Sequence, residues 1–140
     1  MASRRKAREL ALQMLFQWEQ GGHTPEHVIS TFLRAQNVDA EEESFARALF
    51  EGTVAEVQDL DRRVSAQAEH WRLERMAAVD RNLLRVALYE LLHYAETPPA
   101  VIINEAIEIA RRFSGQDSVE FVNGVLDAIR KTLPAPNPTP

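Results

Sequence analysis

The chain has 140 residues, a length typical of a single domain with its own hydrophobic core. Hydrophobic residues make up 45% and charged residues 26%, which excludes a disordered chain, and the absence of cysteine excludes a disulfide framework or a thiolate metal site. The net charge of −5 is the opposite of what a wholly basic nucleic-acid-binding domain would carry.

Apolar residues recur at helical spacing over about residues 4–20 and predict a first helix that ends at Gly21-Gly22. The start of this helix carries four cations and no acid: Arg4, Arg5, Lys6 and Arg8. Because the amino-terminal end of a helix is partially positive, cations there destabilise it slightly. Their placement therefore favours binding of a polyanion, and arginine suits phosphate because its planar fork donates two hydrogen bonds. A basic, frayed terminus without function is the alternative.

Two further helix starts are visible in the next third of the chain. Thr24-Pro25 predicts an N-cap followed by a first-turn proline, which opens a short helix. Asp39 and Glu42 have the spacing of a capping box and open a long helix whose apolar face extends to about Val64. Gly52 interrupts this helical pattern, and either a close helix crossing or a break would explain it.

The second half of the chain continues the helical pattern. A helix over about residues 80–94 is apolar on nearly all sides, which predicts a central buried position. Thr97-Pro98-Pro99 breaks the chain, a helix follows over 100–113, and Asp117 is expected to be the N-cap of a last helix that extends to about 132. The prolines of 134–140 predict a disordered tail. The sequence thus predicts an all-α, single-domain bundle of six or seven helices over residues 1–133.

No catalytic or metal-binding pattern stands out. His23 and His27 are four residues apart, but Pro25 lies between them at a helix start, so a metal site is not expected. A glycine-rich phosphate loop and a Gly-x-Ser-x-Gly nucleophile turn are both missing. No apolar run approaches the roughly 20 residues of a membrane span. We expect a cytoplasmic protein that is not an enzyme and has no cofactor.

Three segments taken together resemble the NusB family. They are the arginine-rich opening from Arg4 to Phe16, the central Asp80-Arg81-Asn82-Leu83-Leu84-Arg85-Val86-Ala87-Leu88-Tyr89-Glu90-Leu91, and the pair Ile103-Asn104-Glu105-Ala106 and Phe121-Val122-Asn123-Gly124. The resemblance covers residues 3–133, and the order of the segments makes it specific. Asn104, Asn123 and Gly124 identify the family. We expect Gly124 to permit close helix packing, and Asn104 and Asn123 to form hydrogen bonds with the backbone inside the bundle.

The resemblance implies two packed helical subbundles and a factor for transcription antitermination and ribosomal RNA processing. Members bind boxA RNA of ribosomal RNA operons, usually with the ribosomal protein NusE, in an antitermination complex on RNA polymerase. By matching position, the resemblance places RNA contacts at Arg4, Arg5, Lys6, Arg8, Phe16, Phe113, Asp117 and Phe121. It places the protein partner near Asp80. Such an interface is physically plausible because single-stranded RNA is bound by stacking on aromatic rings and by cations on phosphates.

One alternative function is a homo-oligomeric protein-interaction module with little RNA binding of its own. A possible homodimer could cover the basic helix. The association state of the protein with and without RNA distinguishes the two hypotheses.

Overall fold

The computed structural model describes residues 3–68 and 72–134, which form an all-helical bundle without strands. The helices are α1 (Arg4–Gly21), α2 (Pro25–Thr31), α3 (Ala40–Ala55), α4 (Val57–Gln67), α5 (Ala78–His93), α6 (Pro99–Phe113) and α7 (Gln116–Thr132). Short 3-10 turns cover Leu33–Ala35 and Leu73–Arg75. The predicted fold class is therefore confirmed. Most of the proline-rich tail, residues 135–140, lies outside the described residues, and so does the segment 69–71.

The predicted helix starts are present at α2 and α3. Thr24 caps α2 by accepting a hydrogen bond from the backbone N–H of His27 at 3.1 Å. Asp39 and Glu42 form the complete capping box of α3. Glu42 also accepts a hydrogen bond from the backbone N–H of Ser3 at 3.0 Å. One carboxylate therefore fixes the start of α3 and joins it to the start of α1.

The long helix expected after Asp39 is divided into α3 and α4 at Glu56, whose backbone leaves helical geometry with φ −111° and ψ 16°. Gly52 lies one turn earlier against the ring of Tyr89 on α5. A β-carbon at Gly52 would lie 2.1 Å from the end of the Tyr89 ring, so a larger residue at position 52 would displace that ring. The ring of Tyr89 packs on Gly52, and the helix break follows one turn later at Glu56.

Helix α5 is the centre of the bundle. It packs against α1 and α3 on one side and against α4, α6 and α7 on the other, which gives two subbundles that share one core. Its buried residues include the apolar Leu83, Leu84 and Leu88, but also the charged Arg85 and Glu90. No helix in the described part of the chain is long and apolar enough to cross a membrane.

The start of α7 differs from the prediction. The helix begins at Gln116, Gly115 is the N-cap residue, and the Asp117 side chain caps nothing. Gly115 has φ 137°, a backbone conformation that favours glycine. The helix thus starts two residues earlier than an N-cap at Asp117 predicts, and Asp117 falls in its first turn. Its carboxylate there still interacts favourably with the helix dipole.

Candidate nucleic-acid interface

Three of the four amino-terminal cations are exposed on the first turn of α1: Arg4, Arg5 and Lys6. The Arg4 guanidinium lies 4.0 Å from the centre of the Phe45 ring, a cation–π contact. The Lys6 Nζ donates a hydrogen bond to the backbone carbonyl of Asn37 at 3.2 Å. Among the described residues neither Arg4 nor Lys6 pairs with a carboxylate, so both positive charges remain available to an anion.

Arg5 is about half exposed and forms an ion pair with Glu105 of α6. Its Nε donates to Glu105 at 3.1 Å, and its Nη2 donates to the same oxygen. This hydrogen bond, together with the charge of Glu105, raises the pKa of Arg5 above its usual range. Arg5 therefore stays positive, but an incoming phosphate has to share it with Glu105.

Arg8 lies in a different environment from the other three cations. Its side chain is only 7% exposed and pairs side-on with the buried carboxylate of Glu90, with N···O distances of 2.8 and 2.5 Å. Its remaining Nη1 donates to Glu105 at 3.3 Å. The sequence contains a signal for this burial. Position 8 lies on the same face of the helix as the apolar residues 11, 12 and 15, which follow it at helical spacing. This environment favours a structural role, and an RNA contact by Arg8 stays a prediction.

The ion pairs fix how α1 lies against α6. Arg5 pairs with Glu105, and one turn along α1 the Glu9 carboxylate accepts hydrogen bonds from Arg112 at 2.9 and 3.0 Å. Residue numbers increase together on both helices at this contact, so the two helices run in the same general direction there. The end of α6 therefore lies beside the second turn of α1.

The three predicted aromatic residues lie on α1, at the end of α6 and on α7. Phe16 is 42% exposed and lies on the same stripe of α1 as Arg5 and Glu9. Phe113, at the end of α6, and Phe121, in α7, are half-buried against the core. The structure thus combines exposed cations, an exposed aromatic ring and two partly exposed rings along α1 and the α6–α7 junction.

Asp117 and Asp80 are the remaining predicted site residues. Asp117 is exposed in the first turn of α7, so it borders the α6–α7 loop. Asp80 is half-buried in the first turn of α5, and its Oδ1 is buried without a hydrogen-bond partner among the described residues. Asp80 lies near the carboxyl-terminal end of α1, because its neighbour Arg81 pairs with Glu19.

Sequence reasoning missed an ion network beneath Asp80. Arg81 and Arg85 of α5 both pair with Glu19 of α1, and Arg85 also pairs with Asp61 of α4 at 2.7 Å. The hydrogen bond from Arg81 holds the pKa of Glu19 below its usual range, despite the opposing effect of burial. The sequence signal was the presence of isolated charges within the apolar α5 segment.

The expected roles of Asn104, Asn123 and Gly124 inside the bundle are wrong, because all three residues are exposed. Asn104, Asn123 and Gly124 lie off the buried stripes of α6 and α7, which explains this result. The residues that face the core are 102, 103, 106, 109 and 110 on α6 and 118, 119, 122, 125, 126 and 129 on α7. No atom of the bundle approaches a β-carbon placed on Gly124 within 4 Å. Close helix packing therefore does not account for this glycine.

Comparison with known proteins gives a consistent result. The NusB family model matches residues 5–131. The "Transcription antitermination protein NusB" of Koribacter versatilis (strain Ellin345) is 52% identical over 135 residues, which is 95% of this chain and 92% of the relative. The structure of T. maritima NusB is 36% identical, with a TM-score of 0.84 over 94% of this chain and 93% of that one. A crystal structure of antitermination factors NusB and NusE with dsRNA has the same fold, at 24% identity and a TM-score of 0.85 over 93% of this chain and 97% of that one.

Proposed function

The chain belongs to the NusB family, and on that premise we propose that it is a transcription antitermination factor that binds boxA RNA of ribosomal RNA operons. The observation that carries the RNA-binding part is the exposed cluster of Arg4, Arg5 and Lys6. It lies at a helix start without acids, in a chain whose net charge is −5. Cations at that end oppose the helix dipole, and only Arg5 of the three pairs with a carboxylate among the described residues, so fold stability does not account for the cluster as a whole. Binding of an RNA backbone does.

Each part of the interface has a separate task in this proposal. Arg4, Arg5 and Lys6 bind phosphates, which orders the RNA along α1 without selecting its sequence. Phe16, Phe113 and Phe121 offer rings on which unpaired bases stack. Arg8 contributes indirectly: it holds Glu105 from the buried side, and Glu105 holds the Arg5 guanidinium. Asp117 limits the RNA path at the α6–α7 loop because its charge repels phosphates.

We further propose that NusE binds near Asp80. The Glu19, Arg81 and Arg85 network places this surface at the carboxyl-terminal end of α1, roughly 20 Å from the cation cluster at 1.5 Å per residue. RNA and a protein partner can then bind to the two ends of the same helix. The acidic surplus of the chain attracts a basic ribosomal protein. The role is non-catalytic and is carried out in the cytoplasm, where nascent RNA is made.

The test is a fluorescence titration of boxA RNA and a scrambled RNA at two salt concentrations, with and without NusE. Wild type is expected to prefer boxA RNA and to bind it more tightly when NusE is present. Arg5→Ala is expected to weaken binding and to reduce the slope of log affinity against log salt by about 0.7, the value for one phosphate on a single strand.

Arg47→Ala is the matched control, because Arg47 also forms an exposed Arg–Glu pair, with Glu51, but lies on α3. It should bind RNA like wild type. Equal affinity of wild type for boxA and scrambled RNA, or an Arg5→Ala slope equal to that of wild type, would contradict the proposal. A tight homodimer that RNA does not dissociate would support the alternative, a protein-interaction module.

A further inference from the structure

We infer that Arg112 is a further RNA-binding residue, one that binds a phosphate group through the free edge of its guanidinium. The inference rests on the proposed function and adds a contact to it. Sequence alone gives Arg112 an ordinary role, because arginines in the last turn of a helix complement its dipole. The contacts that Arg112 makes in the structure indicate a more specific role.

The hydrogen bonds of Arg112 use only one of its nitrogens. Nη1 donates to both carboxylate oxygens of Glu9, at 2.9 and 3.0 Å. Within residues 3–68 and 72–134, Nε and Nη2 donate to no protein atom. These two nitrogens form the side-on edge of the guanidinium, the edge that donates two parallel hydrogen bonds to a phosphate or carboxylate. Arg112 is therefore held in place and still has its phosphate-binding edge free.

The other arginines around α1 lack this combination. Arg5 uses Nε and Nη2 on Glu105, and Arg8 uses the same two nitrogens on Glu90. Arg4 has a free charge, but its guanidinium lies over the Phe45 ring and has no carboxylate to orient it. Arg111 also keeps Nε and Nη2 free, but it is held by Glu108 of its own helix and not by a residue of α1. Among the described residues, Arg112 is thus the arginine that is held by a carboxylate of α1 and is still open to a second anion.

The position of Arg112 fits the proposed RNA path. Its side chain is 68% exposed, whereas the Glu9 side chain that holds it is 11% exposed, so the free edge is on the solvent side of the pair. Its guanidinium lies 5.4 Å from the centre of the Phe113 ring. A phosphate bound to Arg112 would place a neighbouring base close to one of the predicted stacking rings. Cation and ring therefore form a combined site for one nucleotide.

The experiment measures boxA RNA binding at two salt concentrations for wild type, Arg112→Ala, Arg112→Lys and Arg111→Ala. Arg111 is the matched control, because it is the adjacent exposed arginine and pairs with Glu108 of its own helix. We expect Arg112→Ala to lose roughly ten-fold in affinity, as for a hydrogen bond to a charged group, and about 0.7 in salt slope. Arg112→Lys should restore the slope but not the full affinity, since lysine has the charge without the fork. Arg111→Ala should bind like wild type.

The outcomes separate this inference from the proposed function. If Arg5→Ala weakens binding but Arg112→Ala has wild-type affinity and slope, the inference is overturned and the proposed function stands. If Arg112→Lys is equal to wild type in affinity, the fork has no role and the inference is likewise overturned. If wild type does not bind boxA RNA at all, both fail. Circular dichroism of each variant confirms that the fold is intact, as expected for an exposed residue.

Discussion

Replacement of Arg8 by alanine tests how much the buried Arg8–Glu90 ion pair beneath the proposed RNA interface stabilises the fold. The Arg8 side chain is 7% exposed and Glu90 is 2% exposed, and the two share a side-on ion pair. Alanine at position 8 would leave the Glu90 carboxylate buried without its cation, and Glu105 would keep only Arg5. Breaking a buried pair from one side destabilises a protein by about 3–5 kcal/mol.

This loss is large compared with the total stability of a domain, which is typically about 5–15 kcal/mol. For a domain of this size, 1 kcal/mol corresponds to roughly 3–5 °C in melting temperature, so Arg8→Ala should melt roughly 10–25 °C lower than wild type. Thermal unfolding followed by circular dichroism measures the shift. Urea unfolding gives the free energy independently, and an unchanged m-value would show that the same surface is exposed on unfolding.

Two further variants separate burial from charge. Arg8→Met combined with Glu90→Leu removes both charges and fills the space with apolar atoms, so it should regain most of the lost stability. Arg5→Ala removes an exposed pair and should cost at most about 1 kcal/mol. A melting temperature of Arg8→Ala within about 2 °C of that of wild type would refute the claim that this ion pair stabilises the fold. A double variant that is no more stable than Arg8→Ala would refute it as well.

Three further predictions concern the RNA path and the network at the other end of α1. Phe16→Ala should weaken boxA binding by about 1–3 kcal/mol in titrations and leave the melting temperature nearly unchanged, because the ring is exposed. Asp117→Asn removes an anion beside the RNA path, so affinity measured at low salt should stay equal or rise; a large loss would indicate a direct, charge-dependent contact. Glu19 has a lowered pKa in the folded state, so its stabilisation is complete above its unfolded pKa of about 4.3 and is lost as pH falls through the lower folded pKa. The excess unfolding free energy of wild type over Glu19→Gln should therefore shrink below about pH 4.3, and a constant difference would contradict this role of Arg81.

Local sequence patterns were sufficient for most of the fold. Thr24 and Asp39 were recognised as caps because capping depends on a few consecutive residues. The prediction for Asp117 is wrong because the residue types of this segment also fit a helix that starts two residues earlier. The choice between them depends on the backbone of Gly115, which spacing does not encode. The sequence allowed two explanations for Gly52, a helix crossing and a helix break, and could not decide between them. The reason is that the Tyr89 ring, which packs on Gly52, comes from a distant segment of the chain.

The candidate site was predictable only in part, because ion pairs join residues far apart in the chain. Arg8 and Glu90 are 82 positions apart, and Glu9 and Arg112 are 103 apart. Composition and helical spacing placed four cations at one helix start but could not show which of them is neutralised by a carboxylate from another helix. The resemblance to the NusB family indicated which residues contact RNA. The contacts in the structure show that Arg8 is buried and paired with Glu90, whereas the Nε and Nη2 of Arg112 remain free.

The most direct test of RNA binding by this surface is an RNA footprint on the protein, measured as backbone amide chemical-shift changes in a 15N-labelled sample titrated with boxA RNA. We predict that the shifted amides cluster at residues 4–6 and 16 of α1 and at 112–121 across the α6–α7 junction, with little change in α4. A footprint centred on α4, or shifts spread evenly over the chain, would contradict it.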